Sequence, residues 1–165
     1  AIARRPTLRM IGLLSGLVAG LLQAIGLSRW VFVVPDLARI AVDPASSDVT
    51  RLNAQAAFDL LNHWGGVAIG EHLGQIFTAL FVASLAIAQI ECIGRLTRIA
   101  GAIGLMTSLL IVIGLGEGIA IATATDAGLL GLFTVFGYLG LTLCLVLTGI
   151  ALWRAGPDIA AYAAG

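Results

Sequence analysis

Charge is scarce in this chain, lysine is absent, and no two cysteines are spaced for a shared task. Charged residues make up 11% of its 165 positions, less than half the roughly 25% of a typical soluble domain. All nine cations are arginine and they balance nine acids, so neither a nucleic-acid footprint nor a polybasic membrane-surface segment is present. Cys92 and Cys144 lack any paired or metal-ligand spacing and are expected to be inert packing residues. No nucleophile motif or phosphate-binding loop occurs. The glycines Gly114, Gly116 and Gly118 lie inside an apolar run, where the helix already bonds their amides. The first apolar run is too long for a signal peptide and lacks a small-residue cleavage site. Ala1 stands where an initiator Met would, and the expectation is that residues upstream have been removed.

Apolar residues are what the chain has: 59% hydrophobic and a mean hydropathy of +1.04. Four runs carry them, Met10 to Val34, Val67 to Ile90, Ile99 to Ala122 and Gly128 to Trp153. At 1.5 Å of rise per residue, each is long enough to cross a hydrocarbon core of roughly 30 Å. A soluble bundle would show polar outer faces, and these runs have none. The expected fold is an all-α integral membrane protein, a bundle of four transmembrane helices forming one domain over residues 1–165, with the lipid bilayer as first partner. Arg4, Arg5, Arg9, Arg95, Arg98 and Arg154 flank one set of helix ends, so both termini are expected on the cytoplasmic side. Arg29, Arg39 and Arg51 fall on the other side, where four acids share their segment.

Residues 36–66 then form an outer loop. Asp43-Pro44 starts a turn, Ser47 or Asp48 can cap a helix, and Val49, Leu52, Ala56 and Leu60 recur at helical steps, which predicts an amphipathic surface helix ended by Gly65-Gly66. Trp30 and Pro35 mark the end of the first crossing. Gly12, Gly16 and Gly20 form one small-residue face, and Gly66, Gly70 and Gly74 another, so the first two crossings are expected to meet there. Gly114 and Gly118 give the third crossing a similar face. These faces fit packing within the chain first, and contact with a second copy or another membrane subunit second.

An ionised side chain at the centre of a membrane helix is unfavourable by about 2.5–3.5 kcal/mol, so such residues are informative. Arg29, Glu71, His72, Gln75 and Glu117 fall at similar depth near the outer ends, with His63 above them, and the inner halves of the last two crossings carry no ionisable group. They predict a polar pocket capped by the loop, in which Arg29 compensates Glu71 or Glu117. Two sharper chemistries use the histidines: a zinc site from His63, Glu71 and His72, or axial haem ligation by His63 and His72. Neither is favoured, since the histidines are nine apart with no HExxH spacing.

The strings Arg29-Trp30-Val-Phe-Val-Val-Pro35 and Gly70-Glu71-His72-Leu-Gly-Gln75, with Asp43-Pro44 between them, resemble a family of small bacterial polytopic membrane proteins classed as a domain of unknown function. The resemblance implies a multi-pass plasma-membrane protein with no established activity. Val31 and Trp64 depart from the family's pattern. The functional expectation is a non-enzymatic membrane module, an accessory or ligand- and partner-binding bundle. Its rivals are a proton-coupled transport or relay component, against which stands the absence of inverted repeats, and a metal- or haem-dependent membrane enzyme.

Overall fold

A computed structural model describes residues 5–155, and helix is the only regular structure among them. Helix α1 runs Pro6–Phe32, α2 Val34–Val42 and α3 Asp48–Leu61, followed by a π-helical segment Asn62–Leu73 and by α4 Gly74–Ile90, α5 Arg95–Ala122 and α6 Leu130–Ala155. Four of the resulting helical stretches are long and apolar enough to cross a membrane.

Residues 36–66, expected as an outer loop carrying one surface helix, hold that helix as α3 and a second one, α2, that was not expected. Pro35 does disturb α1, whose last turn gives way at Val33, but a proline fits the first turn of a helix. With Asp36 beside it and an Asp36–Arg39 ion pair one turn on, α2 starts at once. The turn at Asp43 forms as expected: the carboxylate accepts from the Ala45 amide and the carbonyl from Ser46. Ser47 is the cap of α3, its hydroxyl accepting from the Thr50 amide.

Gly65-Gly66 does not break the chain, which is the main departure from expectation. Asp48–Ile90 is continuous helix over 43 residues, and the glycines are absorbed by a change of winding. From Asn62 to Leu73 the bonds skip an extra residue, as in Ile69 carbonyl to Gly74 amide. The stripe Val49, Leu52, Leu60 and Trp64 stays exposed, while α3 packs on α2 through its other face, with Ala54 buried and Phe58 edge-on to Trp30.

Packing proceeds in a row, α1 on α4, α4 on α5, α5 on α6. Helices α1 and α6 meet only slightly, so the bundle is open along one side. At the end nearer Arg95 it is tight. A Cβ on Gly101 would stand 2.8 Å from the Ala86 carbonyl oxygen and one on Gly104 2.9 Å from Ala86 Cβ, and midway along the bundle one on Gly137 would come to 2.7 Å from Ile111 Cγ1. Val82, Ala86, Ala100, Ile111 and Cys144 are fully buried between them. The expected crossing of the first two glycine faces is displaced. Gly12 and Gly16 meet the side chains of Ser84 and Phe81, and Gly20 faces open space. The closest approach is Gly26 to Gly70, where a Cβ on either would lie under 3.0 Å from the other's Cα. The large side chains at Leu21, Ile25 and Trp30 had obscured Gly26, which lies off the i, i+4 series of Gly12, Gly16 and Gly20.

Candidate functional site

Where the row of helices stays open, α1 and α6 flank a cleft whose floor is the π segment, α4 and α5. The cavity there measures about 380 Å³, and Arg29, Glu71, Gln75 and Glu117 line it together with Gln23, Thr134 and Tyr138. Gln23 closes one end by donating from Nε2 to Thr78 Oγ1 at 2.8 Å and to Tyr138 Oη at 3.1 Å, a bridge from α1 to α6. Thr78 in turn donates to the Gly74 carbonyl.

Glycine makes the room. A Cβ on Gly66 would overlap the Arg29 guanidinium, one on Gly74 would come to 3.0 Å from Gln23 Cγ, and one on Gly131 to 2.8 Å from a Glu117 carboxylate oxygen. Arg29, Gln23 and Glu117 are thus each met by a residue without a side chain on the next helix. Glycines that read as a helix-crossing stripe in the sequence serve in part as recesses for polar groups.

Arg29 pairs with Glu71 and not with Glu117. Its Nη2 lies 3.7 Å from Glu71 Oε1, Nη1 donates to the Gly26 carbonyl at 2.6 Å, and the guanidinium carbon stands 5.3 Å from the Trp30 ring centre. The arginine side chain is 11% exposed and the glutamate 56%, so the pair has its cation inside and its anion at the mouth. Glu117 has no cation within 4.0 Å among the described residues. Gln75 is 7% exposed and its amide enters no hydrogen bond among them. Thr134 Oγ1, also on the wall, is buried and unpartnered.

The histidines part company with this group. His72 faces α5 instead of the cleft: its Nδ1 is buried without a partner, and a Cβ on Gly118 would come within 2.6 Å of it. A small chamber of about 20 Å³ separates His72 from the main cavity, with Glu71, Gln75 and Glu117 on its walls. That volume holds about one water. His63 is exposed and donates from Nδ1 to the Asp59 carbonyl at 2.9 Å, within its own helix. Both histidines border an apolar recess of about 560 Å³ between the π segment and α5. No three His, Cys, Asp or Glu side chains among the described residues are grouped to hold a metal ion, so His63, Glu71 and His72 do not form the ligand set the sequence left open. Cys144 donates to the Ala100 carbonyl inside the tight half, and Cys92 to the Ala88 carbonyl.

Thr134, Tyr138 and Gly131 were not legible as site residues, because threonine, tyrosine and glycine on an apolar run carry no charge to flag them. Gln23 was visible as the polar residue of the first run, without a partner to explain it. Searches among family models, curated proteins and solved structures find no match to this chain.

Proposed function

We propose that the chain is a multi-pass protein of the bacterial plasma membrane, with both termini cytoplasmic, that works as a non-enzymatic binding module. Its cleft between α1 and α6 opens toward the outer leaflet and receives a small polar molecule or a segment of a partner membrane protein. The carrying observation is the 380 Å³ cavity. Ligand sites range over about 300–1,000 Å³ and pair apolar walls with a few convergent polar groups, as Leu27 and Trp30 do here with Gln75, Glu71 and Glu117. Exposed leucine, isoleucine and phenylalanine along α1 and α6 fit a lipid surround, and the arginines at one set of helix ends fit the proposed orientation. The two strings around Arg29 and Glu71 support membership in the bacterial family they resemble. The α2–α3 hairpin, with Val49, Leu52, Leu60 and Trp64 exposed, then lies at the outer surface as an amphipathic cover.

Mass spectrometry of the protein extracted gently from its own membrane tests the binding role. A stoichiometric companion on the wild type that is lost from Gln75→Ala is expected, and an empty wild-type protein would remove the proposal.

A proton-relay role rests on a different observation, the one-water chamber between His72, whose Nδ1 lacks a partner, and Glu71, Gln75 and Glu117. A water there would link a titratable base to two carboxylates. Vesicles containing the protein and an internal pH dye would acidify faster than empty vesicles after an external acid step. Equal rates would exclude it.

A further inference from the structure

The cleft holds two carboxylates against one cation among the described residues. That cation is Arg29, whose Nη1 donates to the Gly26 carbonyl, whose Nη2 faces Glu71 and whose guanidinium lies near the Trp30 ring, while its Nε is buried without a partner among those residues. Both donor positions of Gln23 Nε2 are used by Thr78 and Tyr138. What remains is the Glu117 carboxylate without a cation, the Glu71 oxygens at the mouth, the Gln75 amide at 7% exposure and the buried, unpartnered hydroxyl of Thr134. One guanidinium against two carboxylates leaves the site short of one positive charge. An uncompensated carboxylate in a low-dielectric site is strongly unfavourable, and a ligand that brings the missing charge relieves it.

We infer that the cleft binds a primary ammonium group, seated between Glu117, Glu71 and the side-chain amide of Gln75. The inference rests on the reading of this cavity as a ligand site and names its ligand class. A primary ammonium carries three N–H donors and no acceptor, which matches the two carboxylates and the Gln75 amide oxygen, whereas a quaternary ammonium has no donor to offer. The Tyr138 ring adds an aromatic surface suited to a cation. An anion would meet two carboxylates, against one guanidinium that already faces Glu71. Because the cleft opens along the side of the bundle between α1 and α6, two sources can deliver the same group: a free amine from water, or the ethanolamine headgroup of a lipid entering from the bilayer.

The full chain in detergent is titrated with ethanolamine, choline, inorganic phosphate and glycerol, each at matched ionic strength, with the unfolding temperature as readout. In parallel, the chain in vesicles of phosphatidylethanolamine or of phosphatidylcholine is analysed by native mass spectrometry for retained lipid. Expected is a preference of about tenfold or more for the ethanolamine compound over its choline counterpart, the factor associated with hydrogen bonds to a charged group, lost in Glu117→Gln and kept in the exposed control Asp126→Asn. Stabilisation by free ethanolamine marks a soluble amine, and retention of phosphatidylethanolamine alone marks the lipid. Glu117→Gln removes charge with little change of volume, and an unfolding temperature near wild type in the absence of amine certifies that it folds; should it not fold, Gln75→Leu takes its place. Equal effects of ethanolamine and choline, or an ethanolamine effect untouched in these variants, overturn the inference. Stabilisation by phosphate or glycerol instead, lost in the same variants, keeps the cleft as a ligand site and rejects the ammonium. No response to any probe, soluble or lipid, overturns both.

Discussion

The two ends of the bundle are built from the same residues to opposite effect. Toward Arg95, glycine and alanine on α4, α5 and α6 bring backbones together, and the polar side chains are mostly spent on the protein itself: Ser108 on the Ala79 carbonyl, Ser84 on Leu80, Gln89 on Thr148. Gln89 Oε1 is the exception, buried without a partner. Toward Gly65, glycines on the π segment, α5 and α6 admit polar side chains, and Arg29 Nε, His72 Nδ1 and Thr134 Oγ1 are left buried and unpaired. Close packing of small residues stabilises the first end through van der Waals contact. The second end keeps close contacts at Gly26 on Gly70 and Gly114 on Thr134, and beside them holds polar capacity that a structural role alone does not require.

Substitution at Gly70 is expected to cost the most. Its missing side chain lies against the Gly26 backbone, which cannot yield as a flexible side chain can, so Gly70→Leu is expected to destabilise the protein by about 3 kcal/mol or more in detergent unfolding. Leu80→Ala, at a position 46% exposed, should change stability by less than about 1 kcal/mol, below the 2–5 kcal/mol typical of buried leucines. Equal losses for the two would show that Gly26 and Gly70 do not form a packed crossing.

A middle effect is expected at the ion pair. The double-mutant cycle of Arg29→Met with Glu71→Gln should give a coupling in the lower part of the 0.5–3 kcal/mol range, roughly 1 kcal/mol, because the 3.7 Å pair has a half-exposed anion. The cycle with Glu117→Gln should be additive within about 0.5 kcal/mol. Stronger coupling to Glu117 would reverse the pairing and place the spare carboxylate at Glu71.

The smallest effect sharpens the contrast between glycines. A Cβ on Gly20 meets nothing within 4 Å, so Gly20→Ala is expected to be neutral or to stabilise by up to about 1 kcal/mol through helix propensity. A clear loss of stability would mean that another surface covers Gly20, and sedimentation of wild type and variant would reveal a lost oligomer.

The four long helices were legible because a run of twenty apolar residues has few alternatives, and their ends agreed with the expected ones to within about four residues at α1, α5 and α6. The helix from Asp48 was legible, and the break expected at Gly65-Gly66 was misread for a definite reason. A glycine pair weakens an α-helix, but the sequence does not announce whether the chain will stop there or continue with wider winding, and the packing of Arg29 over Gly66 decides it. Charge, being rare, located Arg29, Glu71, Gln75 and Glu117 on one cavity. The same logic grouped His72 with them, although its direction around the helix depends on a winding that no local pattern reveals. His63 fell outside because its helix continues past the bundle instead of folding back over it. Uncharged members of the wall, Thr134 and Tyr138, become members only through the register of α6 against α5.

The central claim is that a water-accessible polar cleft enters this bundle from the outer side and stops before its tight half. In a background of Cys92→Ser and Cys144→Ala, single cysteines at Gln75, which lines the cleft at 7% exposure, and at Ala79, one turn further at 4%, can be exposed to a small membrane-impermeant thiol reagent added outside intact cells. The account predicts that Gln75→Cys is modified and Ala79→Cys is not. Modification of Ala79→Cys as fast as Gln75→Cys, or protection of both, would contradict it.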